Sequence, residues 1–202
     1  MPYQPKVSCV ITCYGEGWDI AKTVDTLVEQ LYPGQIEIIA VVDGAKQNRE
    51  TYLAALDCAQ RHRGRAQRTV RGLPKWQRGG RVSTLNAGLA YATGEIILNA
   101  DGDTSFDNTM VAEIIREFRD LNVPAVAGAL RVRNIRDGLV TRMQALEYQI
   151  SMQGGKTGLA HWNMINNISG AFGAFRRDFL RQIGGWDTHT AEELDLTVRS
   201  KQ

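Results

Sequence analysis

The chain has 202 residues, 43% hydrophobic and 23% charged, a balance that suits one globular domain and excludes a disordered or fibrous polypeptide. Its 24 lysines and arginines against 22 acids leave a net charge of +2, which gives no ground for nucleic-acid binding. The start MPYQPKVSCVIT lacks the regions of a signal peptide, no apolar run approaches the roughly 18 to 20 residues of a membrane span, and Cys9, Cys13 and Cys58 lack metal-ligand spacing, so a soluble intracellular domain with buried free thiols is expected.

Residues 6–12 are a nearly continuous apolar run ending at Tyr14-Gly15-Glu16-Gly17, which predicts a buried strand and then a loop. A helix follows, with Ile20, Val24, Leu27, Val28 and Leu31 on one face, Asp19 as its cap and Pro33-Gly34 as its stop. Residues 35–42 read as a second apolar strand broken by Asp43-Gly44, and a second amphipathic helix runs through Tyr52, Leu53, Leu56 and Ala59. A short strand is expected at 67–70, then a helix over 82–91 burying Val82, Leu85, Leu89 and Ala90 and ended by Gly94. Residues 95–99 form another short strand that delivers Asp101-Gly102-Asp103 to its carboxyl end, and 107–118 are again helical.

Beyond that the pattern loosens into a strand at 125–132, a helix at 139–152, a strand at 168–175 interrupted by Gly170 and Gly173, and a helix at 192–199. Alternating strands and helices predict an α/β domain with a mostly parallel sheet covered on both faces. Its ligand crevice lies beyond the carboxyl ends of the strands, where Tyr14, Asp43 and Asp101 to Asp103 gather. No repeat, low-complexity tract or linker divides the chain, so residues 1–202 are one domain, with 1–103 and 104–202 as its two halves.

Two carboxylates one residue apart at a strand end, Asp101 and Asp103, suit a hard divalent cation such as Mg2+ or Mn2+, with positions left for phosphate oxygens. The same tripeptide also reads as an Asp-Gly turn with solvated acids. No acid occurs between Cys58 and Gly94, while Arg61, Arg63, Arg65, Arg68, Arg71, Lys75, Arg78 and Arg81 all fall there. Arg61 to Arg71 read as a solvated surface; Arg78 and Arg81 flank Gly79-Gly80 directly before a helix whose amino end favours anions, which suits a diphosphate.

The ordered motifs VSCVITCYGEG, VVDGA, GGRVSTLNAGLAYATGEIILNADGDTSFD, ISGAFGAFRRDFLRQIGGWD and AEELDLTVR resemble family 2 glycosyltransferases of the GT-A fold. The resemblance is strongest to the membrane polysaccharide synthases that make cellulose, hyaluronan, chitin and poly-N-acetylglucosamine. It implies a Rossmann-like donor half, 1–103, and an acceptor and catalytic-base half, 104–202. Thr12, Tyr14 and Glu16 would then pack and hydrogen-bond the uridine, and Asp43 would read the uracil. Tyr14 also admits a plain reading as a core tyrosine.

Arg81 stands where the family usually has lysine, in a Gly-Gly-Lys-Ala-x-x-Leu-Asn pattern; charge is kept while the geometry of phosphate contact differs. Asp101 would touch ribose or metal, and Asp103 the metal. Ser169, Gly170 and Trp186 resemble the acceptor wall, although Trp186 also reads as a plug of the core. Glu193, in Glu192-Glu193-Leu194-Asp195, takes the place of the usual aspartate base; it also reads as an acidic first helical turn. A carboxylate base opposite a metal and Arg81 implies direct displacement with inversion.

The resemblance further implies a UDP-sugar donor, a saccharide or lipid-linked acceptor and a place at the cytoplasmic face of the plasma membrane, held by segments absent from this chain. The downstream Gln-x-x-Arg-Trp motif of the processive relatives is also absent, so an excised or trimmed core with poor turnover by itself is expected. Three other readings compete. A dinucleotide-dependent oxidoreductase lacks its spaced-glycine fingerprint, since the first turn reads Tyr-Gly-Glu-Gly-Trp. A non-catalytic nucleotide-sugar-binding module is separated by an assay of UDP release, and a nucleotidyltransferase by pyrophosphate as its product.

Overall fold

The structure, a computed structural model, describes residues 3–128 and 172–186. Its elements in chain order are β1 (Val7–Cys13), α1 (Ile20–Val28), β2 (Ile36–Asp43), α2 (Arg49–Arg61), β3 (Arg68–Lys75), α3 (Gly80–Tyr91), β4 (Ile96–Asp101), α4 (Met110–Glu117), β5 (Ala125–Ala127), β6 (Phe172–Arg176) and α5 (Arg177–Gln182). The described strands form one sheet in the order β3-β2-β1-β4-β6-β5. β1 to β4 run parallel, β6 pairs antiparallel with β4, and β5 pairs antiparallel with β6. The mostly parallel α/β sheet with helices on both faces is therefore as expected, and among the described residues no helix is long and apolar enough to cross a membrane.

Strands buried on both faces need apolar residues at every position, and the alternation of side chains divides them between two cores. Val7, Cys9, Ile11 and Cys13 of β1, with Ile36, Ile38, Ala40 and Val42 of β2, pack under α1, α2 and α4. Val10, Ile39, Val41 and Ile97 point the other way, onto Leu85 of α3, Leu180 of α5, Phe175 and Trp186. All three cysteines are free thiols in the interior, and burial lifts those of Cys9, to about 12, and of Cys13 above the ordinary range.

Several expected boundaries shift for identifiable reasons. α1 stops at Val28, leaving Leu31 65% exposed rather than on the buried face. Its last carbonyls and those of the following turn are taken by one guanidinium: Arg68 donates to the carbonyls of Val28, Gln30, Tyr32 and Gly34 at 2.8 to 3.1 Å. Asp19 stands at the helix start but makes no side-chain cap, because the chain enters α1 through a 3-10 turn, Gly17–Asp19.

α2 buries Thr51, Ala54, Ala55 and Cys58, not the leucines; Leu53 and Leu56 face outward. Small residues are required where α2 lies on β3, since a side-chain carbon at Gly72 would meet Ala55 at 3.2 Å. β3 itself continues to Lys75, past Gly72 and Pro74, because it is the edge of the described sheet, where proline costs no ladder bond. α3 starts at Gly80, buries Thr84, Leu85 and Gly88 and ends at Tyr91, with Ala90 exposed. The expected helices at 139–152 and 192–199 lie outside the described residues, as does the first part of the strand expected at 168–175.

Candidate active site

Parallel pairing brings the strand ends to one rim. Thr12 of β1 lies opposite Asp101 of β4 and Val41 of β2, and β2 continues to Asp43 opposite Lys75. Above this rim is a cavity of about 400 Å³, lined by Thr12, Tyr14, Glu16, Asp43, Arg78, Arg81, Asp101 and Asp103, together with Cys13, Gly80 and Thr84. Eight of the residues singled out from sequence thus meet in one cleft.

The aspartate turn after β4 is anchored from both sides. Thr12 Oγ donates to Asp101 Oδ1 at 3.1 Å, the Gly102 amide donates to the Thr12 carbonyl at 3.0 Å, and Thr23 Oγ donates to the Gly102 carbonyl at 2.7 Å. Arg81 Nε donates to the same Asp101 Oδ1 at 3.3 Å, so cation and carboxylate face the cavity as a pair. Glu16 sits in the same wall. Burial, with Asp103 and Asp101 close by, pushes its carboxyl above the ordinary carboxylate range.

Asp43, 4% exposed, is the hub of the opposite wall. Its Oδ1 accepts from Lys75 Nζ at 2.7 Å and from the Gly79 amide at 2.9 Å, and its Oδ2 accepts from the Gly80 amide at 2.9 Å. Burial works to raise its pKa, but these charge-assisted bonds outweigh it and hold the carboxyl below its ordinary value. A side-chain carbon at position 79 would displace Lys75 Nζ and Ser83 Oγ, so glycine there leaves the Lys75–Asp43 pair undisturbed. The loop so pinned presents Arg78 and Arg81 to the cavity and opens α3, whose first turn carries the positive end of the helix dipole. Arg78 stacks its guanidinium 4.2 Å from the centre of the exposed Tyr14 ring, which answers the core reading of that tyrosine.

The cavity offers an exposed aromatic ring and two guanidiniums beside four carboxylates, Glu16, Asp43, Asp101 and Asp103. Among the described residues no three His, Cys, Asp or Glu side chains are grouped to hold a metal. Of the four carboxylates that line the cavity, Asp101 and Asp103, one residue apart after β4, fit Mg2+ or Mn2+ shared with phosphate oxygens and do not fit an all-protein cage.

Trp186 stands apart from this cleft. It is 5% exposed, edge-on to Phe175 at 5.8 Å, and does not line the cavity. Ser169, Gly170 and Glu193 lie outside the described residues. Sequence reasoning passed over Lys75, Thr23 and Thr84. Lys75 was visible as a cation in the acid-free stretch, but a strand stopped at residue 70 kept it from the rim, and no local signal distinguishes Thr23 or Thr84 from other helix threonines.

The family model described as Glycosyl transferase family 2 matches residues 8–184. A poly-beta-1,6-N-acetyl-D-glucosamine synthase of Staphylococcus epidermidis is 28% identical over 196 residues, covering 96% of this chain and 45% of that protein. The probable glycosyltransferase YdaM of Bacillus subtilis is 30% identical over 201 residues, covering 96% and 46%. The chain therefore spans about half the length of the curated relatives it matches.

Among solved structures, the mannosyltransferase PcManGT of Pyrobaculum calidifontis, in complex with GDP-Man and Mn2+, superposes with a TM-score of 0.74 at 22% identity, over 97% of this chain and 51% of that one. Residues 1–349 of S. aureus TarS, in complex with UDP-GlcNAc, give 0.67 at 15% identity, over 96% and 53%. At these identities the structural likeness shows the fold, which is GT-A.

Proposed function

The chain belongs to glycosyl transferase family 2, and from that premise we propose that it transfers a sugar from a UDP-sugar to an acceptor hydroxyl in polysaccharide synthesis. One observation carries the proposal: residues from the ends of three parallel strands and the start of α3 converge on one cleft with an exposed aromatic ring, two arginines and three aspartates. The Tyr14 ring offers the base a face. Arg78 and Arg81, with the amino end of α3, offer the diphosphate its counter-charge. A neighbour in complex with UDP-GlcNAc and a relative named for N-acetylglucosamine polymer synthesis support the donor and acceptor classes.

Asp101 and Asp103 would hold Mg2+ or Mn2+, as the Mn2+ in the mannosyltransferase complex suggests. Such an ion, when bound, neutralises charge on the departing diphosphate. Arg81, paired with Asp101, would stabilise that leaving group as well, and Glu193 would take the proton of the attacking hydroxyl. Attack opposite the leaving group inverts the anomeric carbon. The chain spans about half the length of these relatives, and the reading includes a saccharide or lipid-linked acceptor and a place for the protein at the cytoplasmic face of the plasma membrane, through segments outside this sequence.

Calorimetry with UDP, with and without Mn2+, and a UDP-release assay over a panel of UDP-sugars test the reading. Metal-dependent UDP binding and release from one sugar are expected. Failure of UDP to bind, or pyrophosphate as the product, would reject it. Glu193→Gln should leave UDP binding intact and slow turnover by about 100- to 10,000-fold; normal turnover in that variant would remove the base assignment.

A further inference from the structure

One side-chain oxygen of Asp101 carries two donors. Thr12 Oγ lies 3.1 Å from Asp101 Oδ1 and Arg81 Nε lies 3.3 Å from the same atom, so both lone-pair positions of that oxygen are taken. The ion pair joins the first turn of α3 to the end of β4, and neither partner is shut in, with side chains 27% and 35% exposed. The backbone before Arg81 is pinned through the Gly79 and Gly80 amides to Asp43, which leaves the Arg81 side chain as the part that moves.

Charge around this pair is lopsided. A side-chain carbon at Gly102 would meet the Glu16 carboxyl carbon at 2.9 Å, so Glu16 lies over the turn between Asp101 and Asp103. Three carboxylates thus crowd one turn in the cavity wall, and the Arg81 guanidinium is paired with one of them.

We infer that Arg81 holds Asp101 when no diphosphate is bound and gives it up to a divalent cation when one is, so that cation and nucleotide bind as a coupled pair. A doubly charged cation and a guanidinium seek the same carboxylate oxygen and repel each other at that distance. A diphosphate in the cavity offers Arg81 a second anion that matches its forked donors, and the carboxylate it leaves is then open to the cation. Reciprocity requires that the cation improve nucleotide binding by the same factor as the nucleotide improves cation binding. This role rests on the assignment of Asp101 and Asp103 to a metal under the proposed function, and it gives Arg81 a duty before the leaving group forms.

The test titrates Mn2+ into the wild type, Arg81→Gln and Arg81→Lys, with and without saturating UDP. Bound and free ion are read by electron paramagnetic resonance and calorimetry, with Mn2+ held by UDP alone subtracted, and thermal melts check that each protein is folded. Without UDP, Arg81→Gln should bind Mn2+ about tenfold more tightly than the wild type, although it binds UDP more weakly. The gain in Mn2+ affinity on adding UDP should be about tenfold smaller in Arg81→Gln, because no guanidinium has to be drawn away. Arg81→Lys keeps the charge and should bind Mn2+ without UDP within about threefold of the wild type.

Equal Mn2+ affinity of the wild type and Arg81→Gln without UDP would overturn the competition while leaving the metal assignment in place. A gain in Arg81→Lys as large as that in Arg81→Gln would also overturn it, since a loosened turn rather than the charge would then set the affinity. If no protein of the set binds Mn2+ with or without UDP, the metal assignment itself falls, and the competition with it.

Discussion

β2 carries a buried carboxylate near each end, and the two are put to different use. Glu37, at the amino end, is 1% exposed and accepts from Ser8 Oγ at 2.6 Å and from the Thr93 amide and hydroxyl at 2.9 and 3.0 Å, with the Arg71 guanidinium at 3.7 Å. Ser8 Oγ in turn accepts from the Gly94 amide, so this network ties β1, β2 and β3 to the turn that enters β4. Asp43, at the carboxyl end, is equally buried, but two of its three partners are amides of the loop that presents Arg78 and Arg81. The same device, a carboxylate gathering donors at a strand end, closes the fold at one rim and shapes a binding surface at the other.

Deleting each carboxylate is the most direct way to break this comparison. Glu37→Ala strands the buried Ser8 hydroxyl and removes the bonds to Thr93, and should destabilise the fold by about 2 kcal/mol, read as a lower urea midpoint. UDP affinity of the folded fraction should change by less than about twofold. Asp43→Asn should act in reverse order: a stability loss of about 1 kcal/mol, and UDP affinity weaker by about tenfold in calorimetry, because an amide NH2 cannot serve both loop amides and Lys75. If Asp43→Asn binds UDP normally, the loop does not depend on the carboxylate and the contrast between the rims is lost.

This contrast also marks what sequence could reveal. The apolar runs of β1, β2 and β4 and the acids that end two of them were legible, because strands buried on both faces must be apolar throughout and a crevice must follow their ends. So was the convergence of Thr12, Tyr14, Asp43, Arg81, Asp101 and Asp103. Glu37 was hidden, since a single acid inside QIEIIAVV gives no hint that Ser8 and Thr93 come from distant elements to meet it. α2 was misread for a related reason: its outward leucines suit a generic apolar face, but contact with β3 at Gly72 selects alanine and cysteine instead. Helix ends were missed wherever a remote group, such as Arg68 at α1, supplied the cap.

Acid sharpens the comparison with a smaller effect. Burial raises both carboxyls, yet hydrogen bonds from Ser8 and Thr93 at Glu37, and from Lys75, Gly79 and Gly80 at Asp43, win, and both pKa values fall below the ordinary ones. A lowered folded value means that the unfolded chain binds more protons in the acid window, so stability falls as the pH falls. The contribution is fully present above the unfolded values, about 4, and is lost as the pH drops through the lowered folded ones. Urea midpoints below about pH 5 should therefore decline less steeply in Glu37→Gln than in the wild type. An identical slope in the two proteins would mean that another carboxylate governs acid unfolding.

The smallest effect is expected where carboxylates are paired but not buried. Arg61 donates to Asp57 Oδ2 at 2.8 Å and lies 3.4 Å from Asp25 Oδ1, with side chains 37% to 45% exposed. Water solvates these charges almost as well as the pairing does, and His62 Nε2 lies 2.7 Å from the same Asp25 oxygen, so that carboxylate keeps a partner when Arg61 is cut away. Arg61→Ala should shift stability by no more than about 0.5 kcal/mol and leave UDP binding unchanged, measured by the same melts and titrations. A loss comparable to that of Glu37→Ala would show that pairing rather than burial sets the value of these carboxylates, and would undo the distinction drawn along β2.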